Sequence, residues 1–196
     1  MPRPPNPEVR ARFLTIGRGV VHELGFNGCG VGDITSAVGV PKGSFYNYFD
    51  SKESFASEIL ESYWLSIEAR HGNILRDASR KPLGRITRFF NALSSDHAVK
   101  NYAYGCLIGN LTLELSHASD DARRRLVALV QRWESALADC LREAQHQGEF
   151  DKRRDVAEAA TIIVEAYEGA VMRSKLEQTG NACRRFEKIV LPLLLR

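Results

Sequence analysis

The chain has 196 residues, 44% hydrophobic and 26% charged, with a formal net charge of +3, enough for a sizeable core shared between a small and a larger domain. Residues 1–5 have no apolar core, and the apolar run at 190–195 is short and broken by Pro192, so neither a secretory signal nor a membrane span is expected and the reading is cytoplasmic. The four cysteines, Cys29, Cys106, Cys140 and Cys183, lack close spacing, which argues against a zinc centre or a disulfide framework; no metal or cofactor is expected.

A Pro-rich start (residues 1–5) reads as a mobile tail. Residues 8–24 come next, with Val9, Phe13, Ile16, Val20 and Leu24 at helical spacing, and Gly25 ends that helix. The next stretch runs Asp33-Ile34-Thr35-Ser36-Ala37-Val38-Gly39-Val40-Pro41-Lys42-Gly43-Ser44-Phe45-Tyr46-Asn47-Tyr48-Phe49. Two short helical runs flank Gly39-Val40-Pro41, a break that fits a tight helix-turn-helix. Ile34 with Val38, and Phe45 with Phe49, give each run an inner stripe. Lys42, Gly43, Ser44, Tyr46, Asn47 and Tyr48 remain for an outward face. A cation, hydroxyls and an amide suit phosphate oxygens and a base edge. Charge does not single this segment out, because up to Glu53 six Lys or Arg face five Asp or Glu, so the inference rests on the motif.

Asp50-Ser51-Lys52-Glu53 has the residue types of a capping box and opens a helix to about residue 76. Lys52, in its first turn, is a candidate phosphate contact. The rest of the chain has no strand-like alternation. Helices are expected at 83–94, 105–116, 120–147, 155–178 and 182–195, punctuated by Pro82, an Asp120 cap, Gly148 and Gly180-Asn181.

Lys42-Gly43-Ser44-Phe45-Tyr46-Asn47-Tyr48-Phe49, followed by Asp50-Ser51-Lys52-Glu53-Ser54-Phe55, resembles the recognition helix and next helix start of TetR-type transcriptional regulators. Gly25-Phe26, Val31, Asp33-Ile34 and Ala37-Val38-Gly39-Val40 resemble the same family upstream. The likeness departs at Thr35, where the family has alanine, and at Gly30, where it has a capping Ser or Thr. It implies an all-α protein: an N-terminal three-helix DNA-binding domain (1–53) and a C-terminal helical ligand-binding and dimerisation domain (54–196). Thr35, Lys42, Gly43, Ser44, Tyr46, Asn47, Tyr48 and Lys52 form the implied contact set for double-stranded operator DNA. The last two helices, with Ile163, Tyr167 and Ile189, are implied to pair with a second copy as a homodimer.

Gly105-Cys106-Leu107-Ile108-Gly109-Asn110-Leu111 places a thiol at a helix N-terminus. With the recognition segment, it resembles the branch of TetR-type repressors that respond to electrophiles, acrylate or related reactive molecules. The alternative for Cys106 is plain buried packing. Tyr102, Tyr104, Asn110, Trp133, Tyr167, Glu168, Met172, Arg173 and Lys175 are candidate pocket residues. Arg173 or Lys175 would pair a small carboxylate inducer, and Lys175 would stabilise a Cys106 thiolate. The function expected is a repressor released by a small molecule or by modification of Cys106. The alternatives are a ligand-independent activator or a cysteine-dependent enzyme, the latter disfavoured because no His, Asp or Glu stands in a recognised motif beside Cys106.

Overall fold

The computed structural model describes residues 6–196, and its regular structure there is helical throughout, as the periodicity predicts; the Pro-rich start lies outside the described residues. Helix α1 comprises Pro7–Arg12, a widened π turn at Phe13–Gly17 and Arg18–Leu24. Asn6 caps it, its Oδ1 accepting from Glu8 N at 2.9 Å, with Pro7 in the first turn; Gly25 ends it at φ 82°. Of the predicted stripe Phe13 is buried and Val9 and Val20 are half-buried, but the buried line runs through Phe13, Gly17 and Val21. Ile16 is 43% and Leu24 52% exposed, because the π turn adds a residue and rotates the remainder of the helix about its axis.

Helix α2 spans Val31–Val38. Gly30 N donates to Asp33 Oδ2 at 2.7 Å, half of a capping box, so a glycine serves where a hydroxyl was expected. Gly39, at φ 74°, closes α2 in the left-handed region that favours glycine. The second run, Lys42–Asn47, is a 3-10 helix rather than an α-helix. Helix α3, Lys52–Leu75, is capped by Ser51, whose Oγ accepts from Ser54 N at 3.0 Å. The cap thus sits one residue later than predicted.

Helices α4 (Pro82–Val99), α5 (Leu107–Leu115), α6 (Asp120–His146) and α7 (Val156–Glu177) come next. Helix α8 comprises Asn181–Arg185, a π turn at Phe186–Val190 and Leu191–Leu194. Ser119, not Asp120, caps α6 by accepting from Ala122 N at 3.2 Å. Asp155, expected to open this helix, caps α7, its Oδ1 accepting from Ala157 N and Glu158 N. Contacts divide the chain into two units, the first holding residues up to Ser66 with Leu107–Val127, the second Ile67–Cys106 with Ala128–Arg196. The boundary expected after Glu53 falls inside the first unit.

The core of the first unit is aromatic. Phe13 packs edge-on against Phe45 (5.7 Å), Phe49 (5.4 Å) and Phe55 (6.3 Å). Gly17 admits these rings: a Cβ there would stand 3.0 Å from Phe55 Cζ and 3.1 Å from Ile34 Cγ2. Gly17→Ala is therefore expected to cost about 1–3 kcal/mol by overpacking. Gly19→Ala, where nothing lies within 4 Å, should stabilise by about 0.5–1 kcal/mol. Thermal melts of the pair check this; equal midpoints would mean the rings yield freely.

In the second unit, Phe90 meets Tyr167 (4.8 Å), Phe186 (5.2 Å) and Trp133 (6.3 Å). Buried Arg85 donates to Leu75 O at 3.0 Å and pairs with Glu143, which keeps its charge compensated.

Candidate functional site

In the first unit, the 3-10 geometry aligns residues every third position. Phe45 points into the aromatic core and Tyr48 is half-buried, its ring 5.5 Å from Phe13 and its hydroxyl accepting from Asn6 N at 3.2 Å. On the neighbouring rows Gly43, Tyr46 and Asn47 are exposed, as is Lys42, and Ser44 is half-buried. No atom lies within 4 Å of where a Gly43 Cβ would be, so a partner's backbone has close access there. At about 2.0 Å per residue, six residues extend about 12 Å, close to a DNA major groove's width.

Two members of the expected contact set sit elsewhere. Thr35 is 2% exposed and its Oγ1 donates back to Val31 O at 2.9 Å; it is a packing residue between the helices, with no hydroxyl left for phosphate. Lys52 donates through Nζ to the carbonyls of Phe26 and Cys29, with the Phe26 ring 4.2 Å away. Its ammonium braces the loop between α1 and α2 instead of facing outward.

Sequence reading missed the other brace on that loop. Glu114, near the end of α5, accepts from Phe26 N at 3.1 Å and Asn27 N at 2.6 Å. A Cβ at Gly25 would meet the same carboxylate at 3.0 Å. An ammonium thus holds the loop's carbonyls while a carboxylate holds its N–H groups, which fixes where α2 begins. Partners 88 residues apart leave no local signal.

In the second unit, Cys106 directly precedes α5 and is buried. Burial raises the pKa of the Glu168 carboxyl from 4.5 to about 7, since a desolvated carboxylate is costly, partly offset by the Cys106 thiol beside it, which lowers it. Glu168 is half-buried as a residue, and its Oε1 is sealed from solvent and unpartnered. Ser94 Oγ, Trp133 Nε1 and Tyr167 OH are likewise buried and unpartnered. Ser94 lies beside the Tyr167 phenol and the Cys183 thiol and lowers the pKa of each, with no hydrogen bond of good geometry from its Oγ to either. Trp133 and Tyr167 lie edge to face with ring centres 6.0 Å apart, and burial raises the Tyr167 pKa well above its usual value. Each such group lacks what it had in water, at about 1–3 kcal/mol apiece, so the cluster is suited to a polar guest.

Other predicted pocket residues diverge. Met172 is 65% exposed, and Arg173 is exposed and paired with Glu177, so neither lines an enclosed cavity. Lys175 is half-buried on the same helix. Asn110 belongs to the first unit. Tyr102 and Tyr104 are half-buried, Tyr102 at φ 61°. Ile163 and Tyr167, expected at a dimer surface, are 0% and 1% exposed and pack inside their own unit, out of a partner's reach. Helix α7 instead exposes Ile162, Met172 and Leu176, and α8 exposes Ile189 and Leu193.

The remaining cysteines are inert packing. Cys140 donates to Pro82 O at 3.4 Å and burial pushes its thiol up to about 11; burial also raises Cys29 and Cys183. Among the described residues no helix is long and apolar enough to cross a membrane.

The chain is similar to known proteins over most of its length. Residues 14–59 match the family model for bacterial regulatory proteins of the tetR family, and residues 82–190 that for the tetracyclin repressor-like C-terminal domain. The HTH-type transcriptional repressor DhaR of Mycobacterium sp. (strain GP1) is 35% identical over 189 residues, covering 95% of this chain and 92% of DhaR. The crystal structure of regulatory protein TetR from Rhodobacter sphaeroides superposes with a TM-score of 0.88 at 30% identity, covering 94% of this chain and 97% of that one. The reduced form of E. coli NemR does so with a TM-score of 0.80 at 22% identity, covering 95% of each chain.

Proposed function

From the premise that this chain belongs to the TetR family of DNA-binding transcriptional regulators, we propose that it is a homodimeric repressor that leaves its operator when a small molecule engages the cluster around Cys106. The observation that carries the release half of this reading is the set of four buried, unpartnered polar atoms on Ser94, Trp133, Tyr167 and Glu168. The DNA half rests on Lys42, Gly43, Tyr46 and Asn47, which are held outward by the aromatic core behind Phe45.

The dimer face is proposed along the exposed apolar residues of α7 and α8, from Ile162 through Met172 and Leu176 to Ile189 and Leu193. Gly169, with nothing within 4 Å of its Cβ position, allows a second helix to approach closely. Two copies would present their recognition segments to half-sites about one DNA turn, roughly 34 Å, apart. A guest favouring a different spacing shifts the population away from the DNA-bound form.

Gel shifts on DNA upstream of the chain's own reading frame, with and without N-ethylmaleimide, methyl acrylate and hypochlorite, test the reading in wild type and Cys106→Ser. Release in wild type but not in the serine variant supports thiol sensing, and release in both leaves reversible binding as the trigger. No release with any compound counts against the inducible reading. For the contact face, Lys42→Ala is expected to weaken binding several-fold on all sequences and to lower the slope of log affinity against log salt by about 1. Asn47→Ala should cost about 1–3 kcal/mol at one base position only. Unchanged affinity in both would place the face elsewhere.

A further inference from the structure

Helix α7 carries an outward row that reads the same way from either end. Taking Gly169 as the centre, Ala166 and Met172 stand three positions away, Glu165 and Arg173 four, and Ile162 and Leu176 seven. At about 100° per residue the whole row falls within about 60° of Gly169, and every member of it is exposed or half-buried. Small or apolar residues thus mirror one another, and the one acid mirrors the one base. Rotating a second copy by half a turn about an axis at Gly169 sets each residue of the row against its mirror position. Resting on the homodimer reading above, we propose that α7 crosses the same helix of a second copy antiparallel at Gly169, and that Glu165 of each chain pairs with Arg173 of the other.

The single chain is shaped for this occupant. A Gly169 Cβ would meet nothing within 4 Å, so the backbone at the centre is bare and a second helix can approach more closely there than side chains elsewhere permit. Ile162, Gly169 and Leu176 are spaced by seven, the repeat that keeps two helices in contact at a crossing angle of about 20°. Contact then reaches about 10 Å to either side of the centre, at about 1.5 Å per residue. That is far enough to cover Leu176, which is 75% exposed. Glu165 has no ion-pair partner among the described residues, whereas Arg173 pairs with Glu177 on its own helix. A guanidinium carries several donors in a fixed fork, so the dimer adds the partner's Glu165 to an arginine already held in place.

The row also chooses its partner. An exposed ion pair adds little affinity, but like charges held together at an interface cost far more, so Glu165 and Arg173 act chiefly by rejecting wrong arrangements. A parallel pairing in the same register would set Glu165 against the partner's Glu165 and Arg173 against the partner's Arg173. The apolar residues supply the adhesion, and the two charges supply direction and register.

Charge reversal separates this arrangement from apolar contact alone. Sedimentation equilibrium of the full chain gives the dimer dissociation constant, and native mass spectrometry of a mixture gives the share of mixed dimers. Glu165→Arg and Arg173→Glu should each raise the dissociation constant by about tenfold or more, since each places like charges together on both sides of the axis. Mixed with one another, the two variants should form heterodimers in preference to either homodimer, and the double variant should regain wild-type association. Gly169→Cys tests the axis independently of charge, because the four native cysteines are buried and a residue on the axis faces itself at disulfide distance. Under copper phenanthroline this variant should crosslink to its own copy, while Met172→Cys should crosslink only when mixed with Ala166→Cys. A dimeric wild type whose reversed variants mix at the statistical ratio would overturn the proposal and leave the homodimer reading standing. So would a Met172→Cys chain that crosslinks alone while Gly169→Cys does not. A wild type that stays monomeric at every concentration would overturn both.

Discussion

Phe45→Ala is expected to lower stability by about 3–5 kcal/mol and to abolish operator binding. Phe45 is fully buried, and its ring meets Phe13 at 5.7 Å, Phe49 at 5.2 Å and Phe55 at 5.5 Å. Truncation removes the transfer energy of the ring and leaves a cavity among rigid aromatics that have little freedom to collapse. Edge-to-face pairs add about 0.5–1.5 kcal/mol each beyond area burial. Because Phe45 lies between Ser44 and Tyr46 in a 3-10 segment of six residues, losing it also frees the backbone that presents Tyr46 and Asn47. Against a total stability of about 5–15 kcal/mol, the loss is large. Urea unfolding and gel shifts measure the two halves; Phe45→Leu should fall between alanine and wild type. An alanine variant that binds DNA like wild type would show that the aromatic core does not set the contact face.

Glu168→Gln should change how stability depends on pH by on the order of 3 kcal/mol. Burial raises the Glu168 pKa from 4.5 to about 7, so the folded chain holds this proton more tightly than the unfolded chain does. The favourable contribution is therefore fully present below about pH 4.5, and it is lost as pH rises through about 7. Glutamine has no proton to lose. Relative to wild type, the variant should gain nothing from this source at pH 4.5 and on the order of 3 kcal/mol above pH 8. Denaturant midpoints at pH 5 and pH 8.5 test it. A constant difference between variant and wild type across that range would mean that Glu168 titrates as an ordinary exposed carboxyl.

Much of the fold was legible in the residues. Pro41 after Gly39 marked the turn, the spacing of Phe45 and Phe49 marked the inner face, and Gly148 and Gly180 marked helix ends. What escaped depends on contacts between distant segments or on small backbone adjustments. The π turn at Phe13–Gly17 moved the buried stripe from Ile16 to Gly17, which periodicity with a fixed 3.6-residue step does not anticipate. Helix α7 is rich in small and apolar residues on more than one side, so pattern alone did not tell inward Ile163 and Tyr167 from outward Ile162 and Met172. Lys52 and Thr35 looked like DNA ligands by residue type; their donors serve backbone carbonyls instead. The pairing of Cys106 with Glu168 joins residues 62 positions apart and has no signature in either segment.

The brace on the α1–α2 loop decides which substitutions that loop tolerates. Lys52 and Glu114 grip carbonyl oxygens and amide hydrogens, groups that every non-proline residue carries. The side chain of Asn27 is exposed and takes no part, so its identity is unconstrained so long as its amide hydrogen remains. The constraint falls on the grippers and on two places without a side chain. A methyl group at Gly25 would press on the Glu114 carboxylate, and one at Gly28 would lie 2.1 Å from Leu24 O. A proline at Asn27 would delete one of the two Glu114 contacts, leaving that at Phe26 N and the charge in place, making backbone chemistry, not side-chain lettering, the code by which this loop is written.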